Sequence, residues 1–285
     1  MRAYVPDYDL VAPAGLNEAL KLVADQARPM AGGTDLMVLF EAGKLPYRKL
    51  VSLWRIPELR GIATSEGHVT LGALTTYAAI QQSDVMQREF PLLVKAASWT
   101  GAVATQNRGT LGGNIANASP AADSPPALLV YDAEIELLSA VGSRWVQYTG
   151  FHTGYKTSVM RSDEIIGHIR LPRTTSGCAQ YLRKVGTRRA QAIAKVAVAG
   201  LAQIGSGGVV ERIRIALASV APMPIRCVDT EAILIGRKLD VALIEEAKQR
   251  IAAEIAPISD IRSTEAYRRR VTANLLQEFL QSLRA

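Results

Sequence analysis

Residues 110–123 read TLGGNIANASPAAD, a stretch that pairs two adjacent glycines with hydroxyl and amide side chains. It lies within a longer segment, residues 101–126, that has neither a helical nor an alternating period, so we expect a loop there. Gly112-Gly113 lacks Cβ atoms and so lets backbone N–H groups approach an anion such as a diphosphate. A purely structural loop, capped by Asn114 and Asp123, explains the same residues. The stretch alone leaves both interpretations open.

A second glycine pair lies near the N-terminus, in the run Ala31-Gly32-Gly33-Thr34-Asp35. The apolar pattern predicts a short strand before it, at residues 28–31, and a helix toward Phe40 after it. A plain strand-to-helix connection is one interpretation, and an anion site at the start of the helix is the other. Two glycine pairs in one chain match the demand of a dinucleotide. The sequence motifs of P-loop NTPases and of Rossmann sites are absent.

The composition is typical of a cytoplasmic protein, and the length suits two modest domains or one domain with a large appendage. The chain has 285 residues, 48% of them hydrophobic. No run approaches the roughly 18 consecutive apolar residues that a membrane-spanning helix needs. Asp7 arrives before any apolar stretch, so no signal peptide is expected. Cys178 and Cys227 are too few and too far apart for an iron–sulfur or zinc site. Redox chemistry therefore requires an organic cofactor.

The formal net charge of +7 is spread along the chain rather than gathered in one run. Nucleic-acid binding requires a basic face interleaved with stacking aromatic residues, and only 6% of the residues are aromatic. We therefore expect a basic surface that faces solvent or a partner protein. The histidines at positions 68, 152 and 168 lie in separate segments, and we expect them to be structural or exposed.

The pattern of predicted elements changes near residue 175. Before that point, an α/β unit is followed by hairpins and helices. After it, strands come first and helices follow, which is typical of a small α+β domain. The predicted C-terminal strands are residues 180–185, 193–204 and 209–220, and the predicted helices are residues 229–236, 241–255 and 263–283.

The two glycine motifs resemble those of one family. TLGGNIANASPAAD closely resembles the second flavin-binding motif of the FAD-binding medium subunits of the molybdenum hydroxylases, the family of xanthine dehydrogenase and carbon monoxide dehydrogenase. The run from Ala31 to Asp35 resembles the first motif of that family. The similarity continues in the expected order through residues 164–172, 183–196, 221–226 and 265–269.

The resemblance implies an α+β architecture in two domains. Residues 1–174 would form an FAD-binding domain of the PCMH (vanillyl-alcohol oxidase-like) type, with subdomains at about 1–56 and 57–174. Residues 175–285 would form a C-terminal domain of the CO dehydrogenase flavoprotein type, with a three-stranded antiparallel sheet and helices.

The resemblance also assigns roles to residues, with FAD as the cofactor. The two glycine segments would wrap the diphosphate and the ribityl chain, chiefly through backbone N–H groups. Asp123 would hold the adenosine or ribityl region, and Ile166 would pack on one face of the isoalloxazine ring. Lys184 would lie near the pyrimidine edge, where a cation raises the flavin potential. No catalytic residue and no metal ligand is implied. The predicted cofactor-binding residues are Met30, Ala31, Gly32, Gly33, Thr34, Asp35, Leu36, Thr110, Gly112, Gly113, Asn114, Asp123, Ile166 and Lys184.

The sequence departs from the family pattern in two places that bear on the site. Some relatives carry an aromatic residue on the second ring face, where this chain has Thr100 next to Trp99. The family often has an aspartate where this chain has Ala192, so a local hydrogen bond of the C-terminal domain is in doubt.

The implied function is electron transfer within a complex. A small [2Fe–2S] subunit and a large molybdopterin subunit are the implied partners, and NAD, quinone or oxygen is the terminal acceptor. Two other functions stay open from the sequence. One is a self-sufficient FAD-dependent oxidoreductase of the vanillyl-alcohol oxidase-like fold, and the other is a non-enzymatic assembly or nucleotide-sensing module.

Overall fold

The computed structural model describes residues 7–188 and 191–284. Residues 1 and 285, the outer limits of the two predicted domains, lie outside the described residues. So does most of the N-terminal segment in which no signal peptide is expected. The first part of the chain forms a three-stranded parallel sheet with the strand order β1-β3-β2. Its elements are β1 (Asp9–Val11), α1 (Leu16–Ala24), β2 (Arg28–Met30), α2 (Leu36–Glu41) and β3 (Lys49–Ser52).

The two helices of this unit differ in how they pack. Helix α1 buries Ala19, Leu20 and Val23, whose spacing places them on one helical face against the sheet. Fully burying a leucine or valine side chain contributes roughly 1.5–3 kcal/mol, so this face anchors the helix. Helix α2 has six residues and none of them is buried. Helix α2 packs only loosely, with Phe40 against the ring of Tyr8 at 5.0 Å between centroids.

The second part is a five-stranded antiparallel sheet with the order β4-β5-β10-β6-β7, covered by short helices. A two-stranded ribbon, β8-β9, lies beside it. The strands are β4 (Ile62–Thr64), β5 (His68–Gly72), β6 (Glu134–Ser139), β7 (Gly142–Gln147), β8 (His152–Gly154), β9 (Thr157–Ser158) and β10 (Ile165–Pro172). The helices are α3 (Tyr77–Gln82), α4 (Asp84–Glu89), α5 (Pro91–Trp99), α6 (Val103–Arg108), α7 (Leu111–Asn117) and α8 (Pro125–Val130).

The prediction of an irregular loop at residues 101–126 is wrong. Helices α6 and α7 and the first turn of α8 lie there. Helix α7 begins at Leu111 because the Thr110 hydroxyl caps it, accepting a hydrogen bond from the N–H of Gly113 at 3.1 Å. Leu111 and Ile115 are buried and hold the helix against the sheet, so tertiary packing overrides the low helix propensity of the glycines.

The C-terminal part is a sheet with the order β11-β12-β13-β14, packed against three helices. Four antiparallel strands form it, not the predicted three. The fourth strand, β14, has two residues and is too short to produce a pattern in the sequence. The elements are β11 (Ala179–Val185), β12 (Val196–Ile204), β13 (Val210–Ala218), β14 (Ile225–Arg226), α9 (Val228–Leu234), α10 (Val241–Glu254) and α11 (Glu265–Ser282).

The two large sheets share an apolar core across the predicted boundary near residue 175. Every residue of α8 is buried, and the helix packs against β12 and β13. Leu182 and Leu201 belong to the same apolar cluster as Val69 of β5. Because this interface is apolar, the C-terminal sheet is held firmly against the part of the chain that carries the glycine motifs. The boundary itself stays a prediction.

Charged side chains reinforce that interface at one place. Arg226 of β14 forms ion pairs with Glu231 of α9 and, at 2.8 Å, with Asp132, which follows α8. Arg214 of β13 also pairs with Asp132. The side chains of Arg226 and Glu231 are 13% and 8% exposed, so these charges are largely withdrawn from water and depend on one another.

Candidate cofactor site

The first glycine pair follows β2 directly and turns the chain into α2. Gly33 has a φ of +79°, a left-handed conformation that only glycine adopts without strain. The carbonyl oxygen of Gly33 accepts a hydrogen bond from the N–H of Met37 at 2.8 Å, which fixes the start of the helix. The turn therefore has a defined shape.

The backbone N–H groups from Gly32 to Leu36 have no acceptor within residues 7–188 and 191–284. These residues are only partly exposed, apart from Asp35. Consecutive unpaired N–H groups in a tight turn form a concavity that binds anions. Because these N–H groups have no acceptor among the described residues, they are available to an acceptor from outside the protein.

The second glycine pair lies in the first turn of α7 rather than in a loop. Its N–H groups are occupied: Gly112 donates to the carbonyl of Ala73 at 2.9 Å, and Gly113 donates to Thr110. A Cβ on Gly112 would lie 2.6 Å from the Cβ of Ala73. Gly112 and Gly113 therefore allow close packing and leave this part of the surface of α7 without side chains. Among the described residues, the N–H donors without an acceptor belong to the first glycine pair and the residues after it.

The two glycine pairs lie against each other. A Cβ on Gly32 would lie 2.7 Å from the carbonyl carbon of Arg108 and closer still to its oxygen. A Cβ on Gly113 would lie 3.6 Å from the side chain of Ala31. The end of α6 therefore covers one side of the first turn, and a side chain at Gly32 would push the two segments apart.

Asp123 and Lys184 form a buried ion pair beside this junction. The Lys184 Nζ is 2.7 Å from an Asp123 carboxylate oxygen, and the side chains are 3% and 11% exposed. Burial raises the pKa of Asp123 to about 6, although Lys184 acts in the opposite direction. The second carboxylate oxygen, Oδ1, is buried without a partner, as is the Oδ1 of Asn114 in α7. Two buried oxygen atoms thus await donors that the described chain does not supply.

Tyr77, at the start of α3, is a site residue that the sequence did not reveal. Burial raises its pKa, with a smaller upward contribution from the carboxylates of Asp123 and Asp35. Ser124 and Thr100 lower it by hydrogen bonding. The phenol thus lies among residues from both glycine motifs. A solitary tyrosine before a short helix gives no periodic signal, which is why the sequence did not indicate it.

Ile166 is 5% exposed and lies on β10, paired with Leu137 of β6. The strand bulges between Ile166 and Ile169, where Gly167 accepts a hydrogen bond from Ala73 at 2.8 Å. Ala73 in turn contacts Gly112, so β10 and the glycine-bearing turn of α7 are linked through one residue. Ile166 therefore lies on the strand that supports the junction, and its contact with a flavin ring stays a prediction.

The residues present fit a dinucleotide such as FAD. Five free N–H groups suit a diphosphate, and the absence of Cβ atoms allows the close approach that a diphosphate requires. The unpaired oxygens of Asp123 and Asn114 suit hydroxyl or ring N–H donors. Within the described ranges no cluster of three potential metal ligands occurs, and no helix is long and apolar enough to cross a membrane.

Two of the three histidines, His152 and His168, have side-chain partners outside the two glycine motifs. His152 is buried beside Tyr148, with 3.1 Å between Nε2 and the phenol oxygen, and burial lowers its pKa to about 4. His168 lies 2.6 Å from a carboxylate oxygen of Glu136. Cys178 is partly buried and Cys227 is buried, and both are free thiols.

Fold and site together define a dinucleotide-binding protein of the flavoprotein class. Residues 6–174 match the model of the FAD binding domain in molybdopterin dehydrogenase, and residues 181–283 match the CO dehydrogenase flavoprotein C-terminal domain. The chain is 35% identical over 270 residues to the glyceraldehyde dehydrogenase medium chain of Sulfolobus acidocaldarius, covering 94% of this chain and 95% of that protein. It is 33% identical over 261 residues to the xanthine dehydrogenase FAD-binding subunit of Escherichia coli O157:H7, covering 90% and 88%.

Solved structures agree with the sequence comparison. The carbon monoxide dehydrogenase from Hydrogenophaga pseudoflava that lacks the Mo-pyranopterin moiety contains a chain that superposes with a TM-score of 0.92 at 29% identity. The match covers 96% of both chains. The chain therefore belongs to the FAD-binding medium subunits of the molybdenum hydroxylases. It is an oxidoreductase flavoprotein subunit with FAD as its cofactor, and its role is electron transfer, so the predicted family, fold class, cofactor and function are confirmed.

Proposed function

We propose that FAD lies across the junction of the two glycine pairs and that this chain receives electrons from a small [2Fe–2S] subunit. A large molybdopterin subunit would reduce that iron–sulfur subunit, and NAD, quinone or oxygen would be the final acceptor. The observation that carries the proposal is the run of free N–H groups from Gly32 to Leu36, held against the start of α7.

The diphosphate would be bound by main-chain donors of the first turn. The N–H groups of Gly32 and Gly33 have no acceptor among the described residues and no Cβ blocks access to them, and those of residues 34–36 would extend the same anion site. Thr110 would act indirectly, because its hydroxyl caps α7 and so positions Gly113 and Asn114. The free amide oxygen of Asn114 would accept a hydrogen bond from the ribityl chain.

The Asp123–Lys184 pair would face the polar part of the cofactor. Bound FAD supplies a centre that accepts and releases one or two electrons. The buried ammonium of Lys184 would stabilise negative charge on the pyrimidine edge of the ring. Asp123 limits that effect by neutralising part of the lysine charge, while its unpaired Oδ1 is available to a donor on the cofactor. The ion pair also links the segment just before α8, which carries Asp123, to β11 of the C-terminal part, which carries Lys184.

Apolar packing would exclude water from the ring. Ile166 and the bulged segment of β10 would offer a rigid surface, since Ile166 pairs with Leu137 of β6 and Gly167 accepts a hydrogen bond from Ala73. Tyr77 lies next to Gly109, because the N–H of Tyr77 donates a hydrogen bond to the carbonyl of Gly109 at 3.2 Å. A dry, rigid surrounding keeps the ring in place during electron transfer.

The test is reconstitution of the purified chain with FAD and measurement of its spectrum. We expect a yellow protein with bound flavin absorbance that dithionite bleaches. Adding the reduced [2Fe–2S] partner should also bleach it, with no organic substrate present. A protein that gains no flavin absorbance after incubation with FAD would refute the proposal.

Two further measurements test for a self-sufficient oxidoreductase and identify the terminal electron acceptor. Turnover of a small organic substrate by the isolated chain would favour a self-sufficient oxidoreductase instead. Mixing the reduced flavoprotein with NAD, a soluble quinone or oxygen, and following the return of flavin absorbance, identifies the acceptor as the compound that reoxidises it fastest.

A further inference from the structure

Arg108, the last residue of α6, contacts the first glycine pair in two ways. Its main-chain carbonyl packs against the Cα of Gly32, where a Cβ has no room. Its exposed guanidinium turns back, and Nη2 donates a long hydrogen bond of 3.4 Å to the carbonyl oxygen of Gly32. The side chain and the main chain of Arg108 thus both contact Gly32.

The guanidinium of Arg108 is supported by an aromatic ring. Its Cζ lies 3.8 Å from the centroid of Trp54, a half-buried residue just after β3. Arg60 also contacts Trp54, with its Cζ 4.4 Å from the centroid and its guanidinium bonded to the Trp54 carbonyl. A guanidinium over the face of an indole ring is attracted by the ring's negative face. The ring therefore restrains Arg108 beside Gly32.

The geometry of the peptide bond gives this contact a consequence for the site. The carbonyl of Gly32 and the N–H of Gly33 belong to one planar trans peptide unit, so they point in opposite directions. With glycine on both sides, rotation of that unit meets little steric resistance. A rotated unit would present a carbonyl oxygen to an anion in place of an N–H donor.

We propose that Arg108 is a positioning residue that holds the Gly32–Gly33 peptide with the Gly33 N–H directed at the diphosphate. Trp54 and Arg60 hold Arg108 in place for this task. The inference rests on the proposed function, in which the N–H groups from Gly32 to Leu36 bind the diphosphate of FAD.

The test compares Arg108→Gln with the wild type and with Arg55→Gln, a change of the exposed arginine next to Trp54. FAD affinity is measured by titration of the apoprotein. Loss of one positioned donor weakens FAD binding about tenfold, in line with a charged hydrogen bond of roughly 1.5 kcal/mol. Arg55→Gln should bind FAD like the wild type. Arg60→Gln, which only loosens Trp54, should lie between them.

Two readouts separate positioning from a general charge effect. A mere loss of positive charge is screened by salt, so the deficit of Arg108→Gln should persist at about 0.5 M salt if orientation is the cause. In protein labelled with [15N]glycine, the Gly33 amide resonance should shift on FAD binding in the wild type. That shift should be reduced or lost in Arg108→Gln.

Each outcome is informative. Equal FAD affinity and an equal Gly33 shift in Arg108→Gln would overturn the positioning role while leaving the proposed function intact. A deficit that vanishes at high salt would also overturn it, since charge alone would then suffice. If the wild type binds no FAD, the proposed function itself fails. Circular dichroism shows whether each variant is folded.

Discussion

Replacing Gly32 with alanine tests the contact between the two glycine pairs. The new Cβ would lie 2.7 Å from the carbonyl carbon of Arg108 and 3.3 Å from the N–H nitrogen of Gly109. Both neighbours are main-chain atoms, so no side chain can rotate to make room. The carbonyl oxygen of Arg108 is closer still, so the two segments must separate by more than about an ångström.

The structure sets the magnitude. Forcing one extra carbon into a packed site costs about 1–3 kcal/mol, and the displaced N–H groups lose their alignment with the diphosphate. We expect FAD affinity to fall by roughly 10- to 100-fold. Gly33→Ala should be milder, because its nearest neighbour is 3.6 Å away and only the φ of +79° opposes a side chain. That strain costs roughly 1–2 kcal/mol.

The assay is titration of each apoprotein with FAD, with urea unfolding as a measure of stability. Gly67→Ala is the matched control, because a Cβ there meets nothing within 4 Å. The expected order of FAD affinity is wild type equal to Gly67→Ala, then Gly33→Ala, then Gly32→Ala. If Gly32→Ala bound FAD as tightly as Gly67→Ala, the close contact would have no part in binding, and the reasoning would be refuted.

Three other changes test the charged groups. Arg226→Met leaves Glu231 buried without its partner and should lower the unfolding free energy by about 3 kcal/mol, whereas Arg237→Met, at a half-exposed pair, should cost under about 1 kcal/mol; equal losses would contradict this. Burial raises the pKa of Asp260, but hydrogen bonds from neighbouring residues lower it to about 2 overall. The contribution of the Asp260 carboxylate to the free energy of unfolding is therefore present above pH 3.8 and is lost as pH falls toward 2. In urea unfolding, the wild type should exceed Asp260→Asn by about 1 kcal/mol in unfolding free energy near neutral pH, and this difference should shrink below pH 4. A difference that grew below pH 4 would refute the lowered pKa of Asp260. Lys184→Met should retain FAD but make its midpoint potential more negative in a redox-dye titration, and an unchanged potential would remove the lysine from the ring.

Local patterns were sufficient to predict the N-terminal unit. The strand predicted at residues 28–31 and the helix predicted toward Phe40 rest on short-range signals, and they form as β2 and α2. The C-terminal strands β11 to β13 also form close to the predicted ranges, and β12 is an almost continuous apolar run. In each case neighbours in sequence supply most of the information.

The helix at the second glycine pair could not be predicted in the same way. Gly112, Gly113 and Asn114 have low helix propensity, and α7 exists because Thr110 caps it and Leu111 and Ile115 are buried. Burial depends on the rest of the fold, which local periodicity does not contain. The motif itself was still informative, since Gly112 permits the close approach to Ala73 and Gly113 lies beside Ala31.

The contacts that complete the site are long-range. Asp123 and Lys184 are separated by 61 positions, and Arg108 and Gly32 by 76. No spacing rule links such pairs. The resemblance to a family placed Asp123 and Lys184 in the site, but it did not indicate that they pair, and nothing in the sequence indicated Tyr77 or Trp54.

A structure of the protein with FAD bound tests the central claim most directly. We expect diphosphate oxygens within hydrogen-bond distance of the N–H groups of residues 32–36, and the flavin ring between Ile166 and the Lys184 side of the site. A diphosphate bound elsewhere, with the Gly32-Gly33 turn left in contact with water alone, would contradict the claim.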